Sequence, residues 1–299
     1  MTQAQQIEQT TASQTEGTDP RAALISDLPV TERRARLAGI STAFLEGGEG
    51  PTLVLLHGPG EFAAKWLRVL PDLVGHYHVV APDLPGHGAS TGPGPSLDAE
   101  DVLGWLGAVV DQTSTTPPTI VGHVLGGAIG ARFAIENQGQ VARLVLVDSL
   151  GLDSFRPSLW FALSMIGFLL RPTEGSYRRF MRQCSFDLDR LRDGMGDRWE
   201  PFKAYNLEQA RSPNGAVARQ LMRKVGIPRI DPDALAQIDV PTTLIWGRHD
   251  RALPLRIAEE ASERYGWPLY IIENCADDPP LDQPEAFVDA LRSAVEGTA

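Results

Sequence analysis

Short apolar segments alternate along the chain with longer segments in which apolar residues recur at helical spacing. The short segments are rich in β-branched residues and are bounded by Gly, Pro, Asp or Asn, which predicts strands at 34–40, 42–45, 52–56, 78–81, 119–121, 144–147, 242–246 and 269–272. The longer segments predict helices at 62–74, 97–110, 125–136, 254–265 and 284–295. This alternation favours a mainly parallel sheet with helices on both faces.

One interval between two predicted strands is too long to be a simple connection. Residues 150–239 separate the strands at 144–147 and 242–246, whereas loops without their own secondary structure rarely exceed about 15 residues. Four or five helices are predicted within it, at 158–170, 176–182, 188–194, 201–211 and 216–225. Such an insertion lies above the carboxyl ends of the strands, where open α/β sheets bind ligands. We therefore interpret 150–239 as a helical cap on a core formed by 21–149 and 240–299.

The large apolar residues of the cap allow two interpretations. They are suited either to the wall of an apolar ligand pocket or to the packed interior of the cap itself. These residues are Phe155, Trp160, Phe161, Met165, Phe168, Trp199, Phe202 and Tyr205.

Charge and composition narrow the classes of partner. The chain has 27 basic and 38 acidic residues, a net charge of −11, which disfavours nucleic acid and anionic membrane surfaces as partners. Residues 1–20 are rich in Gln, Thr, Ser and Glu, a composition that predicts a disordered tail. The longest apolar segment, 159–170, is too short to span a bilayer. Two cysteines fit a reducing cytoplasm. We expect a cytoplasmic protein that binds a small lipophilic molecule. The sequence leaves open whether the protein forms a homodimer.

The segment at 119–127, TIVGHVLGG, combines an apolar strand, a tight turn and the start of a helix. Gly122 and Gly126 flank the turn because a Cβ atom at either position would collide where the strand folds directly into the helix. Four further motifs follow the same order as in one known family: LLHG at 55–58, APDLPGHGAS at 81–90, LIWGRHD at 244–250 and DDPPLDQPEAF at 277–287. Over residues 34–294 the chain resembles the α/β-hydrolase superfamily, in the branch with a cap after the sixth strand. The resemblance implies an eight-stranded, mostly parallel sheet and no cofactor.

The resemblance carries the catalytic triad onto this sequence only in part. The family order is nucleophile, acid and histidine. Val124 takes the first place and Asp250 the second, and alignment of the last motif puts Asp277 where the histidine belongs. A valine cannot attack a carbonyl or an epoxide. The sharp turn normally requires positive φ, so we expect a β-branched residue there either to relax the turn or to be held by tight packing, with its side chain in the pocket floor.

The oxyanion hole of the family also lacks one of its usual donors. One donor is the backbone N–H of Leu125, and the position of the other is occupied by Pro59, which has no N–H. A shifted loop would allow the N–H of Gly60 to serve as the second donor. The candidate pocket and oxyanion region comprises Gly58, Pro59, Gly60, His123, Val124 and Leu125. Removing one such donor costs about 100-fold to 1,000-fold in rate.

Asp250 and Asp277 form a carboxyl pair and are the remaining candidates for a catalytic role. Two neighbouring carboxylates cannot both ionise easily, so one should retain its proton and the pair can act as general acid and base. The alternative for Asp277 is a hydrogen bond to loop backbone. A ligand-binding pseudoenzyme is the second functional hypothesis, and a hydrolase that uses a residue outside the triad is the third.

Several other polar residues have weaker claims to a catalytic role. Asp148 is an alternative acid position without an evident task, and Cys275 lacks a histidine beside it in sequence. The histidines at 57, 87 and 249 belong to motifs that are structural in the family. His76 and His78 have no third ligand, so no metal site is predicted.

Overall fold

A single twisted sheet organises the protein, seen here in a computed structural model that describes residues 19–92, 97–212 and 215–297. Its strands are β1 (Thr31–Leu37), β2 (Ile40–Gly47), β3 (Thr52–Leu56), β4 (His78–Pro82), β5 (Thr119–His123), β6 (Arg143–Val147), β7 (Thr242–Gly247) and β8 (Leu269–Ile272). They lie in the order β1-β2-β4-β3-β5-β6-β7-β8. Only the β1–β2 and β2–β4 pairings are antiparallel. The expected eight-stranded, mostly parallel sheet is confirmed.

Helices cover both faces of this sheet. In chain order they are α1 (Pro20–Ile25), α2 (Leu70–Leu73), α3 (Ala99–Thr113), α4 (Leu125–Glu136), α5 (Leu159–Leu170), α6 (Glu174–Cys184), α7 (Leu188–Met195), α8 (Trp199–Arg211), α9 (Gly215–Leu221), α10 (Pro232–Leu235), α11 (Arg256–Tyr265), α12 (Pro279–Asp282) and α13 (Pro284–Glu296). The central strands are buried on both faces: in β3, Val54 and Leu56 pack into one apolar cluster and Leu53 and Leu55 into the other. Such two-sided burial explains why these strands are continuous apolar runs in the sequence.

The prediction of one continuous α-helix at 62–74 is wrong. A 3₁₀ helix occupies Ala63–Arg68, and α2 that follows it has only four residues. Pro71 explains part of the break, since it has no N–H to continue the hydrogen-bond ladder of a regular helix. The short helices α1, α10 and α12 were not predicted, because four to six residues are too few to show a helical period. Most of the tail predicted at 1–20 lies outside the described residues, but Asp19 caps α1, which begins at Pro20.

Six helices, α5 to α10, lie between β6 and β7, so the expected cap helices are present. Most of the large apolar cap residues pack inward: Phe161, Phe168, Trp199, Phe202 and Tyr205 are buried. Trp160 lies neither in a pocket wall nor in the interior of the cap, because 71% of its surface is exposed. The limits 150–239 for the cap stay a prediction.

Candidate active site

The turn between β5 and α4 keeps a strained backbone although no nucleophile is present. Val124 has φ 47° and ψ −100°, a conformation that β-branched residues rarely adopt. Its N–H donates to the Val147 carbonyl at 3.0 Å, and its own carbonyl accepts from Leu150 at 3.1 Å and Ala128 at 3.3 Å. The half-buried side chain packs against the apolar core. Of the two expected outcomes, the turn is held and not relaxed.

Glycines make this turn sterically feasible. A Cβ atom on Gly126 would overlap the Leu56 carbonyl, and one on Gly122 would overlap the backbone of Gly126. The Gly126 N–H also donates to the His57 carbonyl at 3.1 Å, which ties the first turn of α4 to the end of β3. The predicted steric role of both glycines is confirmed.

Asp250 follows β7 and is almost completely buried. Its Oδ1 accepts the N–H groups of Ala252 at 2.6 Å and Leu253 at 2.8 Å, and its carboxyl also shares a side-chain hydrogen bond with Asp148. Burial raises the pKa of this carboxyl to about 7, and the two backbone donors only partly oppose the shift. Asp250 therefore populates both protonation states near neutral pH.

Asp277 lies in the loop after β8, where the cap contacts the core. Its N–H donates to the Cys184 carbonyl of α6 at 3.2 Å, and its carbonyl accepts from His123 Nε2 at 2.7 Å. Its carboxyl Oδ1 is buried without a partner in the part of the chain that the structure describes. Burial, followed by repulsion from Asp250, raises the pKa of the Asp277 carboxyl well above its usual range. Backbone groups of Asp277 thus hold the loop, and its carboxyl is left for another task.

Asp148, at the end of β6, is a third member of this carboxyl group. It is fully buried with φ 41°, and its Oδ1 accepts the Gly247 N–H at 2.9 Å. Burial and then the neighbouring Asp250 raise its pKa well above the usual range. Sequence reasoning gave Asp148 no task because no histidine accompanies it. The structure instead makes it an electrostatic neighbour of Asp250.

A buried lysine that sequence reasoning missed lies behind the turn. Lys65 is fully buried, and its Nζ lies 3.1 Å from Asp278 Oδ1 and 3.5 Å from Glu61 Oε2. Burial opposes its charge, but Asp278 and Glu61 outweigh that effect and raise the pKa of the ammonium. The available signal was its place inside the apolar segment FAAKWL at 62–67, where a lysine must find a partner.

The contacts of Lys65 also indicate the tautomer of the His123 ring. The Lys65 Nζ lies 2.6 Å from His123 Nδ1, and a carbonyl that can only accept lies 2.7 Å from Nε2. His123 therefore donates from Nε2 and accepts at Nδ1, a tautomer assigned from its partners. This ring lacks a free nitrogen with which to serve as a catalytic base.

The loop after β3 is poorly suited to bind an oxyanion. The Gly58 N–H already donates to Glu61 Oε2 at 2.6 Å, and Pro59 offers none. Burial opposes the charge of Glu61, but the Lys65 ammonium outweighs that effect and holds the pKa of Glu61 well below its usual range, so a negative charge lies beside the loop. Gly60, at φ 74°, donates to no acceptor among the described residues and is the remaining candidate donor here.

The two cysteines are unsuited to nucleophilic chemistry. Cys275 is completely buried, and Cys184 is half-buried. Burial, together with nearby carboxylates, raises the pKa of both thiols well above the usual range. A thiolate is the reactive form, so neither cysteine is suited to act as a nucleophile.

The sheet order, the strained strand-to-helix turn and the cap helices define a class that comparison with known sequences confirms. The chain belongs to the alpha/beta hydrolase family, whose sequence model matches residues 53–290. The roles of Asp250, Asp277 and the loop residues stay predictions.

Individual relatives span several printed functions. The 2-hydroxy-6-oxo-6-(2'-aminophenyl)hexa-2,4-dienoic acid hydrolase of Metapseudomonas resinovorans is 26% identical over 282 residues, which is 90% of this chain and 92% of that protein. The magnesium-chelatase 30 kDa subunit of Rhodobacter capsulatus is 30% identical over 265 residues, 82% of this chain and 87% of that protein. The crystal structure of a membrane phospholipase A superposes with a TM-score of 0.79 at 28% identity, covering 93% of this chain and 92% of that one.

Within the described residues, no helix combines the length and apolar character needed to cross a membrane.

Proposed function

We propose that this protein performs general acid–base chemistry on a small lipophilic molecule beneath its cap. The observation that carries the proposal is a buried, electrostatically coupled carboxyl pair, Asp250 and Asp277, in which Asp277 Oδ1 has no hydrogen-bond partner among the described residues. With a pKa of about 7, Asp250 can accept a proton at neutral pH, and Asp277, whose pKa is raised well above its usual range, is the proton donor of the pair. Isomerisation, dehydration, cyclisation and epoxide opening by water all require this pair of steps and no covalent intermediate.

The surroundings of the pair favour this chemistry over ester hydrolysis. Val124 has no atom that could form an acyl-enzyme. The Glu61 carboxylate lies beside the loop where a tetrahedral intermediate would need positive partners. A neutral reaction path avoids both obstacles.

The cap and the printed names of two relatives support a small lipophilic ligand. The C-terminal end of α6 contacts the loop of Asp277, so the cap touches the segment that carries one member of the carboxyl pair. The printed names of two relatives, a hydrolase of an aminophenyl hexadienoic acid and a phospholipase, both describe substrates with a large apolar part. We extend that substrate class to this protein as part of the proposal.

A proton-exchange assay tests the chemistry without the natural substrate. Phenylacetone, a small lipophilic ketone, is incubated with the protein in deuterated buffer, and loss of its α-protons is followed by NMR. We expect wild type to accelerate the exchange and Asp250→Asn and Asp277→Asn each to reduce it by about 100-fold or more, because general acid–base catalysis typically contributes that much.

The matched control is Asp111→Asn, the same change at an exposed carboxylate on α3. It should exchange the ketone protons at the wild-type rate. Equal rates in all four proteins would contradict the acid–base proposal.

A ligand-binding role is the second candidate function. It is favoured by the relative whose printed name is a subunit of magnesium chelatase and not a hydrolase, and by the engagement of both His123 nitrogens in structural bonds. Native mass spectrometry of the purified protein distinguishes the two functions. A molecule that co-purifies and is released chemically unchanged after prolonged incubation favours binding, whereas its conversion favours catalysis.

A further inference from the structure

The outward face of α5 is apolar along its whole length. Leu159, Trp160, Leu163, Ile166 and Leu170 are exposed, the last at 81%. Four of them recur at spacings of four, three and four residues, which places them in one stripe on the helix.

The opposite side of the helix is packed. Phe161 and Phe168 are buried, and each ring lies 5.6 Å from the ring of Phe180 on α6. The helix is therefore apolar all round but covered on one side only. An exposed apolar stripe of this length marks an interaction surface.

Arginines lie beyond both ends of this stripe and on the neighbouring helix α6. Arg156 precedes α5 by three residues and Arg171 follows it directly, and both are exposed. The exposed side of α6 carries three more arginines, Arg178, Arg179 and Arg182. No ion pair involves any of the five among the described residues.

The local charge opposes that of the whole protein. Residues 154–186 contain five arginines and one acidic residue, Glu174, a net charge of +4, whereas the whole chain carries −11. The overall charge that disfavours an anionic membrane surface therefore does not describe this part of the cap. An apolar stripe with flanking arginines is the composition of helices that lie in the interface of a bilayer.

We propose that α5 binds the surface of a lipid bilayer containing anionic phospholipid, with its exposed stripe among the acyl chains and its flanking arginines at the headgroups. Its 12 residues extend about 18 Å, less than the roughly 30 Å hydrocarbon core, so the helix lies along the membrane and does not cross it. Trp160, near one end of the stripe, has the side chain most enriched at the membrane–water boundary.

A second copy of the chain is the less suitable occupant. In a two-fold symmetric dimer the same surface meets itself, so the arginines at the ends of one α5 would approach those of the other. Anionic headgroups neutralise the same charges. Membrane binding also does not depend on the proposed acid–base chemistry, because it can be measured without turnover.

Vesicle co-sedimentation with the full chain tests the proposal. Wild type is mixed with vesicles of phosphatidylcholine alone or of phosphatidylcholine with phosphatidylglycerol, and the bound fraction is measured at low and high salt. We expect binding to the anionic vesicles, weaker binding to the neutral ones, and a decrease with salt.

Two variants separate the apolar and charged contributions. Trp160→Gln/Leu163→Gln/Leu170→Gln should lower partitioning at least about tenfold, because each large apolar side chain loses its burial. Arg156→Gln/Arg171→Gln should lower it about 25-fold on anionic vesicles only, about fivefold for each charge. The matched controls are Ile227→Gln, in the bend that follows residue 226, and Arg264→Gln, on α11; both change exposed residues away from α5 and should bind like wild type.

Three results would overturn the proposal. They are absence of wild-type binding, equal binding to neutral and anionic vesicles, and wild-type binding by the triple variant with an unchanged circular dichroism spectrum. Sedimentation velocity then identifies the other occupant, since a dimer that the triple variant abolishes would show that a second copy covers the stripe.

Discussion

Val124 shows that the sharp turn does not depend on having a nucleophile. Its positive φ costs roughly 1 to 3 kcal/mol for a residue of this type. Three backbone hydrogen bonds to Val147, Leu150 and Ala128 hold the conformation in place. The turn is thus a property of the connection between β5 and α4, and the side chain at its centre can change without changing the backbone.

Reagents that label a catalytic serine should therefore not react at Val124, and a serine substitution there should restore the reaction. We expect a fluorophosphonate probe to leave wild type unlabelled, since Val124 has no attacking atom. The variant Val124→Ser/Asp277→His should gain labelling and slow hydrolysis of p-nitrophenyl acetate, because Asp250 is available to orient the new histidine.

The matched control for that variant is Val124→Ala/Asp277→His, which should stay unlabelled. Labelling of wild type would instead support the third hypothesis, a hydrolase that uses a residue outside the triad.

Lys65 is expected to be the most sensitive charged residue for stability. Lys65→Met removes the cation between Glu61 and Asp278 and leaves buried carboxylates without their partner. Breaking a buried pair in this way typically costs about 3 to 5 kcal/mol. Urea denaturation should show that loss in the free energy of unfolding.

The control is Lys224→Met, at an exposed lysine for which no ion pair is found among the described residues. It should change the free energy of unfolding by less than about 0.5 kcal/mol. Similar losses in both variants would show that Lys65 has no special role.

At the scale of secondary structure, the contact of α4 with the sheet is set by glycine. Gly126 lets the first turn of the helix lie against the end of β3, and Gly127 makes room for the side chain of Ser149 after β6. The close approach places Val124 at the edge where β6 and β7 deliver Asp148 and Asp250. Small residues in α4 are thus a condition for assembling the candidate site.

A pair of glycine substitutions tests this steric role. Gly126→Ala should destabilise the protein by about 2 kcal/mol or more, because the new methyl group overlaps the rigid Leu56 carbonyl. Gly104→Ala, on α3, meets no atom within 4 Å and should stabilise it by about 0.5 to 1 kcal/mol. The measurement is thermal or urea unfolding of both variants, and a destabilised Gly104→Ala or a neutral Gly126→Ala would contradict the steric explanation.

At the scale of the whole molecule, buried titratable groups give the stability two opposing pH dependences. The folded protein raises the pKa of Asp250 to about 7, so its contribution is full below the unfolded value near 4 and is lost as the pH rises through 7. Burial lowers the pKa of His57 to about 3 and of His87 to about 4. Their contributions are present above the unfolded value near 6.5 and are lost as the pH falls.

Substitution of Asp250 isolates the first dependence. Relative to Asp250→Asn, wild type should lose on the order of 1 to 4 kcal/mol of unfolding free energy between about pH 5 and about pH 8. Urea denaturation of both proteins at the two pH values measures this difference. A difference that does not change with pH would mean that Asp250 titrates normally in the folded protein.

The sequence by itself determined the sheet and the position of the cap helices, whereas the residues at the triad positions stay a prediction. These features depend on local information: apolar runs mark buried strands, and glycines mark where backbone segments must approach closely. The pairing of Asp250 with Asp277 was predicted from the family resemblance, which puts the two residues at neighbouring triad positions.

Only the tertiary structure decided the electrostatic environment of that edge and the exposed face of the cap. Lys65 comes close to His123 and Asp278 only through folding, and no sequence period reports such distant pairings. Asp148 gains a raised pKa because the fold buries it near Asp250. The helix α5 is apolar on all sides, so its sequence cannot say which side is covered, and the packing of α6 against one side leaves the stripe that contains Trp160 exposed.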